Sequence, residues 1–269
     1  MERYIETRGL RFRLVQEGAG EDPVLLLHGV HGSAGSWDAL IDALNGAVPV
    51  FALDQRGHGG SSWPKTGYDV RTMAEDAAAI CGELVVPINV VGHGMGAAVA
   101  LILAAHHPNV VRRLVLSELP IDDQMTGAMT RVVLESPESF PSWESGRDFL
   151  AQRLVGVADD VIDRRTTERL QREPDNVWRW RSYLPGLRAL VQRPMKGFDL
   201  WLDAPRILAP TVVVRGSRSE TFPVETFERL ARVIPGAEGF QIANAGQTLL
   251  DARPFALAHL LRGFLASGD

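Results

Sequence analysis

Several residue types and patterns are scarce or missing from this chain of 269 residues. Its one cysteine, Cys81, excludes an internal disulfide and any metal site built from several cysteines. No apolar run approaches the roughly 20 residues that span a bilayer, and the N-terminal sequence lacks the pattern of a signal peptide. The net charge of −5 argues against a broad surface for nucleic acid or anionic membranes. We therefore expect a cytoplasmic protein that binds neither nucleic acid nor membrane.

Metal-ligand spacings such as H-x-H and H-E-x-x-H are also missing, so we predict no metal site. The run from Gly92 to Ala97 (GHGMGA) does match the G-x-G-x-x-A spacing of dinucleotide-binding turns. Such a turn usually follows the first strand of its sheet, whereas at least four predicted strands precede this one. A strained turn and close helix packing explain these glycines more simply. We therefore predict no cofactor.

Short apolar strands alternate with helical patterns in the first part of the chain. Continuous apolar strands between helices are typical of a parallel sheet that is covered on both faces. The predicted elements are a hairpin of Tyr4–Thr7 and Arg11–Gln16, strands Val24–Leu27, Val48–Leu53, Ile88–Val91 and Arg113–Leu116, and helices Arg71–Leu84 and Gly94–His106.

The pattern changes after Pro120. Residues 121–199 contain no convincing strand and several prolines, which predicts a group of short helices. Alternation then resumes with strand Thr211–Arg215, helix Phe222–Val233, strand Gly239–Ala243 and a last helix Leu249–Leu265. We therefore predict a core domain of residues 1–120 and 200–269, and a helical cap of residues 121–199 that shapes substrate choice.

Three segments together resemble the α/β-hydrolase superfamily. They are LLLHGVHGS ending at Ser33, LDQRGHGGS ending at Ser61, and VVGHGMGA ending at Ala97. The resemblance implies a mostly parallel central sheet flanked by helices, with a helical cap inserted after the sixth strand. It also implies an oxyanion hole formed by the backbone N–H groups of Val30 and Met95, on a loop that His28 braces.

The catalytic positions depart from the family's pattern. Gly94 stands where the G-x-S-x-G motif has its nucleophilic serine, and the preceding His93 is expected to pack away from the pocket. Gln247 stands at the position of the catalytic histidine, and glutamine cannot take a proton at neutral pH. An acid remains available as Glu118, or as Glu220 next to the usual acid position.

These departures lead to three hypotheses. The first is an enzyme without the hydrolytic triad, in a biosynthetic pathway, that catalyses epimerisation, isomerisation, cyclisation or a lyase reaction through its oxyanion hole. In that enzyme His31, Glu118, Glu220 or the substrate itself would move the proton. The second is a catalytically silent ligand-binding protein. The third is an esterase or C–C hydrolase with an unrecognised nucleophile, for which the available serines are Ser33, Ser117 and Ser219.

The cap has an unusual charge pattern. Residues 164–193 contain eight arginines and three acidic residues, and a Trp-Arg-Trp-Arg run lies among them. Most of these arginines are expected on a solvated face, with one or two facing the cleft, where the planar guanidinium suits a carboxylate. We therefore predict a small-molecule or short-peptide ligand that carries a carboxylate, with Trp178, Arg179 and Arg181 as candidate contacts.

Overall fold

The computed structural model describes residues 1–84, 86–121, 123–154, 156–192 and 199–266. The described strands are β1 (Glu2–Thr7), β2 (Leu10–Glu17), β3 (Val24–Leu27), β4 (Val50–Leu53), β5 (Ile88–His93), β6 (Val111–Ser117), β7 (Leu170–Arg172), β8 (Trp178–Trp180), β9 (Thr211–Gly216) and β10 (Glu238–Ile242). Eight of them form one sheet in the order β1-β2-β4-β3-β5-β6-β9-β10. The first two pairings in that order are antiparallel and all the others are parallel.

The described part of the chain also contains helices, some of which cover the two faces of this sheet. They are α1 (Asp38–Leu44), α2 (Val70–Gly82), α3 (Met95–His106), α4 (Asp123–Leu134), α5 (Trp143–Ala151), α6 (Asp159–Arg169), α7 (Leu184–Gln192), α8 (Leu200–Asp203), α9 (Val224–Val233), α10 (Leu249–Ala252) and α11 (Pro254–Ala266). In β3, Leu25 and Leu27 join the core that contains α2 and α3, while Val24 and Leu26 join the core that contains α1 and α11. The predicted α/β fold with a mostly parallel sheet is confirmed.

Close packing of α3 on the sheet explains one glycine of the third motif. A Cβ atom at Gly96 would lie 2.0 Å from the carbonyl oxygen of Leu27, which no side chain permits. Gly96 therefore lets α3 approach β3 at the edge where the parallel strands end. The loops that follow β3, β5, β6 and β9 meet at this edge, which is where α/β sheets place their ligands.

The segment between β6 and β9 contains α4–α7, as the cap prediction expects. The expectation that it holds no strand was wrong, because β7 and β8 form a short antiparallel hairpin. The alternation in Trp178-Arg-Trp180 is the signal for it, with the ring of Trp180 packed against Phe140 and Phe149. The assignment of residues 121–199 to a separate domain stays a prediction.

The last predicted helix is interrupted. The structure has α10 and α11 in place of one helix over Leu249–Leu265, with the break at Arg253. Pro254 explains the break, because proline disfavours helical backbone at the preceding residue and has no N–H to donate. Similarly, α9 begins at Val224 rather than Phe222, directly after Pro223.

None of the helices in the described ranges has both the length and the apolar character needed to cross a membrane. Across the same ranges, no three His, Cys, Asp or Glu side chains gather in a way that could hold a metal ion. The cytoplasmic location stays a prediction.

Candidate active site

The turn between β5 and α3 places Gly94 at the carboxyl edge of the sheet. Its φ of 56° and ψ of −121° form a backbone conformation that side chains adopt only with strain. Its N–H donates to the carbonyl oxygen of Ser117 at 2.9 Å, which ties the turn to the end of β6. A Cβ atom at Gly94 would meet only the Cα atom of Gly29, at 3.6 Å. The turn therefore has the shape of a nucleophile elbow and has room for a side chain that the sequence does not supply.

Two backbone N–H groups beside this turn are free to bind a ligand. Within the described part of the chain, the N–H groups of Val30 and Met95 donate no hydrogen bond to the protein. Met95 opens α3, where the first N–H groups have no acceptor within the helix and the helix dipole favours negative charge. Both residues line a cavity of about 570 Å³ together with Gly94. This arrangement suits the stabilisation of an oxyanion.

Glu118 directly follows β6 and lines the same cavity. Its φ of 51° lies in the left-handed region, which is uncommon for a residue other than glycine. One carboxyl oxygen accepts the N–H of Gly216 at 2.7 Å, and the other accepts the hydroxyl of Ser219 at 2.5 Å. Burial raises the pKa of Glu118 to about 7, although these two hydrogen bonds oppose the rise. A carboxyl group that titrates near neutrality is suited to general-base catalysis.

His31 also lines the cavity, but both of its ring nitrogens are engaged. Nδ1 lies 2.8 Å from the Ser182 hydroxyl and Nε2 lies 3.1 Å from the Ser136 hydroxyl, while the ring stacks on Trp180. Ser136 donates its own proton to the carbonyl oxygen of Val132, so its hydroxyl accepts from His31 Nε2. Burial lowers the pKa of His31 to about 3, which makes it a weak base. These contacts join the loop after β3 to the cap.

Ser136 is a cavity residue that sequence reasoning missed. It is 105 positions from His31 in the chain, and no local pattern marks it. By contrast, the three serines considered from the sequence are absent from the residues that line the cavity. Their hydroxyls have other partners. The Ser33 hydroxyl donates to Glu168 and the Ser219 hydroxyl donates to Glu118, while the Ser117 hydroxyl lies 3.2 Å from Nδ1 of His93.

Two further histidines have defined places. His93 is among the residues that line the cavity, and its Nδ1 lies 3.2 Å from the Ser117 hydroxyl; that its ring packs away from the pocket stays a prediction. Burial lowers the pKa of His93 to about 4. His28 lies beneath the cavity and is fully buried, with Nε2 accepting the N–H of Gln55 at 3.1 Å and Nδ1 donating to the carbonyl oxygen of Gly29 at 2.8 Å. It braces the loop, as the resemblance implies.

The two remaining catalytic candidates are placed differently. Gln247 lines the cavity, on the loop that precedes α10. Glu220 is exposed and is absent from the cavity lining, because the turn after β9 directs Ser219 and Thr221 inward instead. The structure therefore brings Glu118 to the site and leaves Glu220 outside it.

The cap residues singled out from the sequence do not line the cavity either. Trp178 pairs through its backbone with Phe140, Arg179 forms an exposed ion pair with Asp175, and Arg181 is exposed. Alternation along β8 explains the position of Arg179, because it faces away from the side on which Trp180 lines the cavity. Of the eight arginines in the basic segment, Arg165 and Arg169 line it, while Arg193 lies outside the described residues.

Arg165 holds the cap onto the core. Its buried guanidinium donates to both oxygens of Asp251, to Glu168 and to the carbonyl oxygens of Gly35 and Ser36. Burial alone would raise the pKa of Glu168, but the charges of Arg165 and Arg169 and hydrogen bonds from Ser36 and Arg165 lower it. Arg165, Glu168 and Asp251 therefore satisfy one another at this wall of the cavity.

The fold and this edge of the sheet define a class of protein. Residues 22–254 match the family model described as the alpha/beta hydrolase fold, and the chain belongs to that family of enzymes.

Particular relatives are similar over nearly the whole chain. An esterase of Mycobacterium tuberculosis is 28% identical over 258 residues, which cover 92% of this chain and 84% of the relative. The 2-(acetamidomethylene)succinate hydrolase of Mesorhizobium japonicum is 25% identical over 260 residues, which cover 88% of each. A crystal structure of E-2-(acetamidomethylene)succinate hydrolase superimposes with a TM-score of 0.90 at 23% identity, covering 99% of both chains, and shows the shared fold.

These comparisons correct our first functional hypothesis. The relatives are named as an esterase, a hydrolase and a lipase, so the expectation of a non-hydrolytic isomerase, cyclase or lyase was wrong. The expectation arose because we took the loss of serine and histidine as the loss of hydrolysis. Hydrolysis requires an activated water molecule, and a carboxylate can activate water by accepting its proton. The comparisons favour our third hypothesis, a hydrolase.

Proposed function

We propose that this protein is a hydrolase that adds water directly to the carbonyl group of an ester or amide. The observation that carries the proposal is Glu118, a buried carboxyl group with a pKa of about 7 in the cavity that Gly94, Val30 and Met95 line. The names of the relatives support hydrolysis as the reaction class. Gly94 favours water over a side chain as the nucleophile, since it leaves room at the elbow.

Sheet register supports the position of the base. His93 and Ser117 are paired across β5 and β6, so the next residues, Gly94 and Glu118, leave the sheet side by side. Neighbouring strands lie about 4.8 Å apart, so the backbones of these two residues are close to each other. The backbone of Glu118 therefore lies next to the elbow, and its side chain, which contacts Gly216 and Ser219, lines the same cavity.

The reaction then has two steps. In the first, the water oxygen attacks the carbonyl carbon while Glu118 takes a proton from the water. The electron pair of the C=O bond moves to the oxygen, where the N–H groups of Val30 and Met95 stabilise the charge. In the second, the C=O bond re-forms and the bond to the leaving group breaks, with the Glu118 proton passing to the departing oxygen or nitrogen. Water and ester thus yield acid and alcohol.

Gln247 has a supporting role in this scheme. Its side chain both donates and accepts hydrogen bonds, so it can orient a water molecule without taking its proton. The position opens onto the cavity from the loop before α10. A glutamine there serves direct water attack, whereas a serine nucleophile needs a base at that position.

The test compares Glu118→Gln with Glu220→Gln in the hydrolysis of 4-nitrophenyl acetate and 4-nitrophenyl butyrate. Glu220 is exposed and outside the cavity, which makes it a matched control. A general base contributes about 10²- to 10⁴-fold, so Glu118→Gln should lose about 100-fold or more of kcat, and Glu220→Gln should lose none. The wild-type rate should rise with pH through about 7, as Glu118 ionises. Equal rates in wild type and Glu118→Gln would contradict the proposal.

A further inference from the structure

Arg169, at the end of α6, lines the cavity without an ion-pair partner. No carboxylate in the described ranges forms an ion pair with it, and its guanidinium donates no hydrogen bond to a described residue. Its Nε atom is fully buried and has no hydrogen-bond acceptor. Buried arginines are ordinarily paired, because an isolated charge is costly to remove from water.

Neighbouring carboxylates do not fill this role, because they are committed to other donors. Both oxygens of Asp251 accept from Arg165, as does one oxygen of Glu168. The other oxygen of Glu168 accepts from the hydroxyls of Ser33 and Ser36. Within the described part of the cluster, Arg165 is therefore saturated and Arg169 is not. Burial lowers the pKa of the Arg169 guanidinium, although the charges of Glu168 and Asp251 oppose the decrease.

Arg169 also lies close to the reacting centre. Its charge helps to lower the pKa of both His31 and His93, which flank the loop of Val30 and the elbow at Gly94. An anion bound by Arg169 would thus lie in the same cavity as the N–H groups of Val30 and Met95. Such an anion would be part of the molecule whose carbonyl reacts.

We propose that Arg169 binds a carboxylate of the substrate, which is therefore a carboxylic acid whose hydrolysable ester or amide group lies a few carbon atoms away. The planar guanidinium donates two parallel hydrogen bonds to a carboxylate, which gives orientation as well as affinity. The inference rests on the proposed hydrolase function for turnover, but binding of the carboxylate does not depend on that function.

The binding experiment uses Glu118→Gln as the parent protein, so that no probe is consumed. Calorimetry compares monoethyl malonate, succinate and glutarate with their neutral amide analogues, such as ethyl succinamate. At least one acid should bind about 10- to 100-fold more tightly than its amide. Arg169→Met should remove that preference and Arg169→Lys should retain part of it. Arg172→Met, an exposed arginine outside the cavity, should leave the preference intact.

Two outcomes overturn the carboxylate site: no acid binds better than its amide, or the preference survives in folded Arg169→Met. Circular dichroism establishes folding, and Arg169→Lys repeats the test with the charge retained if Arg169→Met does not fold. Turnover of the same probes by the wild-type chain separates the two proposals. If the acid binds better than its amide in a manner that depends on Arg169 but is not turned over, the hydrolase proposal is refuted and the carboxylate site is supported. If acid and amide are both turned over and neither binds more tightly, only the carboxylate site is refuted.

Discussion

Glu118→Gln should change how stability depends on pH. The carboxyl group has a pKa of about 7 in the folded protein and an ordinary value of 4.5 in the unfolded chain. Below pH 4.5 both states hold the proton and the folded state carries no penalty. As pH rises towards 7, the unfolded state ionises first, so the free energy of unfolding falls. The full difference of 2.5 pKa units corresponds to about 3 kcal/mol, of which about 2.5 kcal/mol develops between pH 5 and 8.

Urea denaturation followed by tryptophan fluorescence measures this effect. The free energy of unfolding of wild type, minus that of Glu118→Gln, should fall by about 2.5 kcal/mol from pH 5 to pH 8. Buried histidines titrate in both proteins, so their contributions cancel in the difference. Glu220→Gln, which removes an exposed acid outside the cavity, is the control measured in parallel. A constant difference for Glu118→Gln would refute a raised pKa and with it the assignment of Glu118 as a base near neutrality.

Two further predictions concern the elbow and the cap. Gly94→Ser should lower the rate of ester hydrolysis, because the hydroxyl fills the space that the attacking water needs. The double variant Gly94→Ser with Gln247→His should gain covalent labelling by a fluorophosphonate, measured as a mass increase. If Gly94→Ser alone were labelled at the same rate as the double variant, residue 247 would not be the position of the catalytic base. Arg165→Met should lower the free energy of unfolding by about 3–5 kcal/mol in urea, since it leaves Glu168 without the cation that it binds and removes the shorter of the two ion pairs of Asp251. Arg179→Met, on an exposed ion pair, should leave the melting temperature unchanged, and a similar loss there would show that the effect is not specific to burial.

The sheet and the elbow could be predicted from the sequence because their signals are local. Val24–Leu27 is apolar throughout, and every residue of β3 is buried between two helical layers. The glycines around residue 94 follow from backbone conformation and helix contact, which one short motif encodes. The break before Pro254 was also encoded locally, but we gave the helical spacing of Leu249–Leu265 more weight than the proline.

Side-chain partners across the cap could not be predicted in the same way. The sequence shows eight arginines in one segment, but the selection of Arg169 depends on which carboxylates Arg165 already occupies. His31 was a candidate base because histidine titrates near neutrality, whereas burial between Ser136 and Ser182 lowers its pKa to about 3. The contacts of His31 join residues more than 100 positions apart, and no periodicity in the sequence records them.

Intact-protein mass spectrometry after incubation with a fluorophosphonate tests the central claim most directly. Direct attack by water involves no acyl-enzyme, so the wild-type protein should hydrolyse an aryl ester at an undiminished rate after incubation and should show no added mass. A stoichiometric adduct with loss of activity, mapped to Ser136 or any other serine, would contradict the account and assign the reaction to a serine nucleophile.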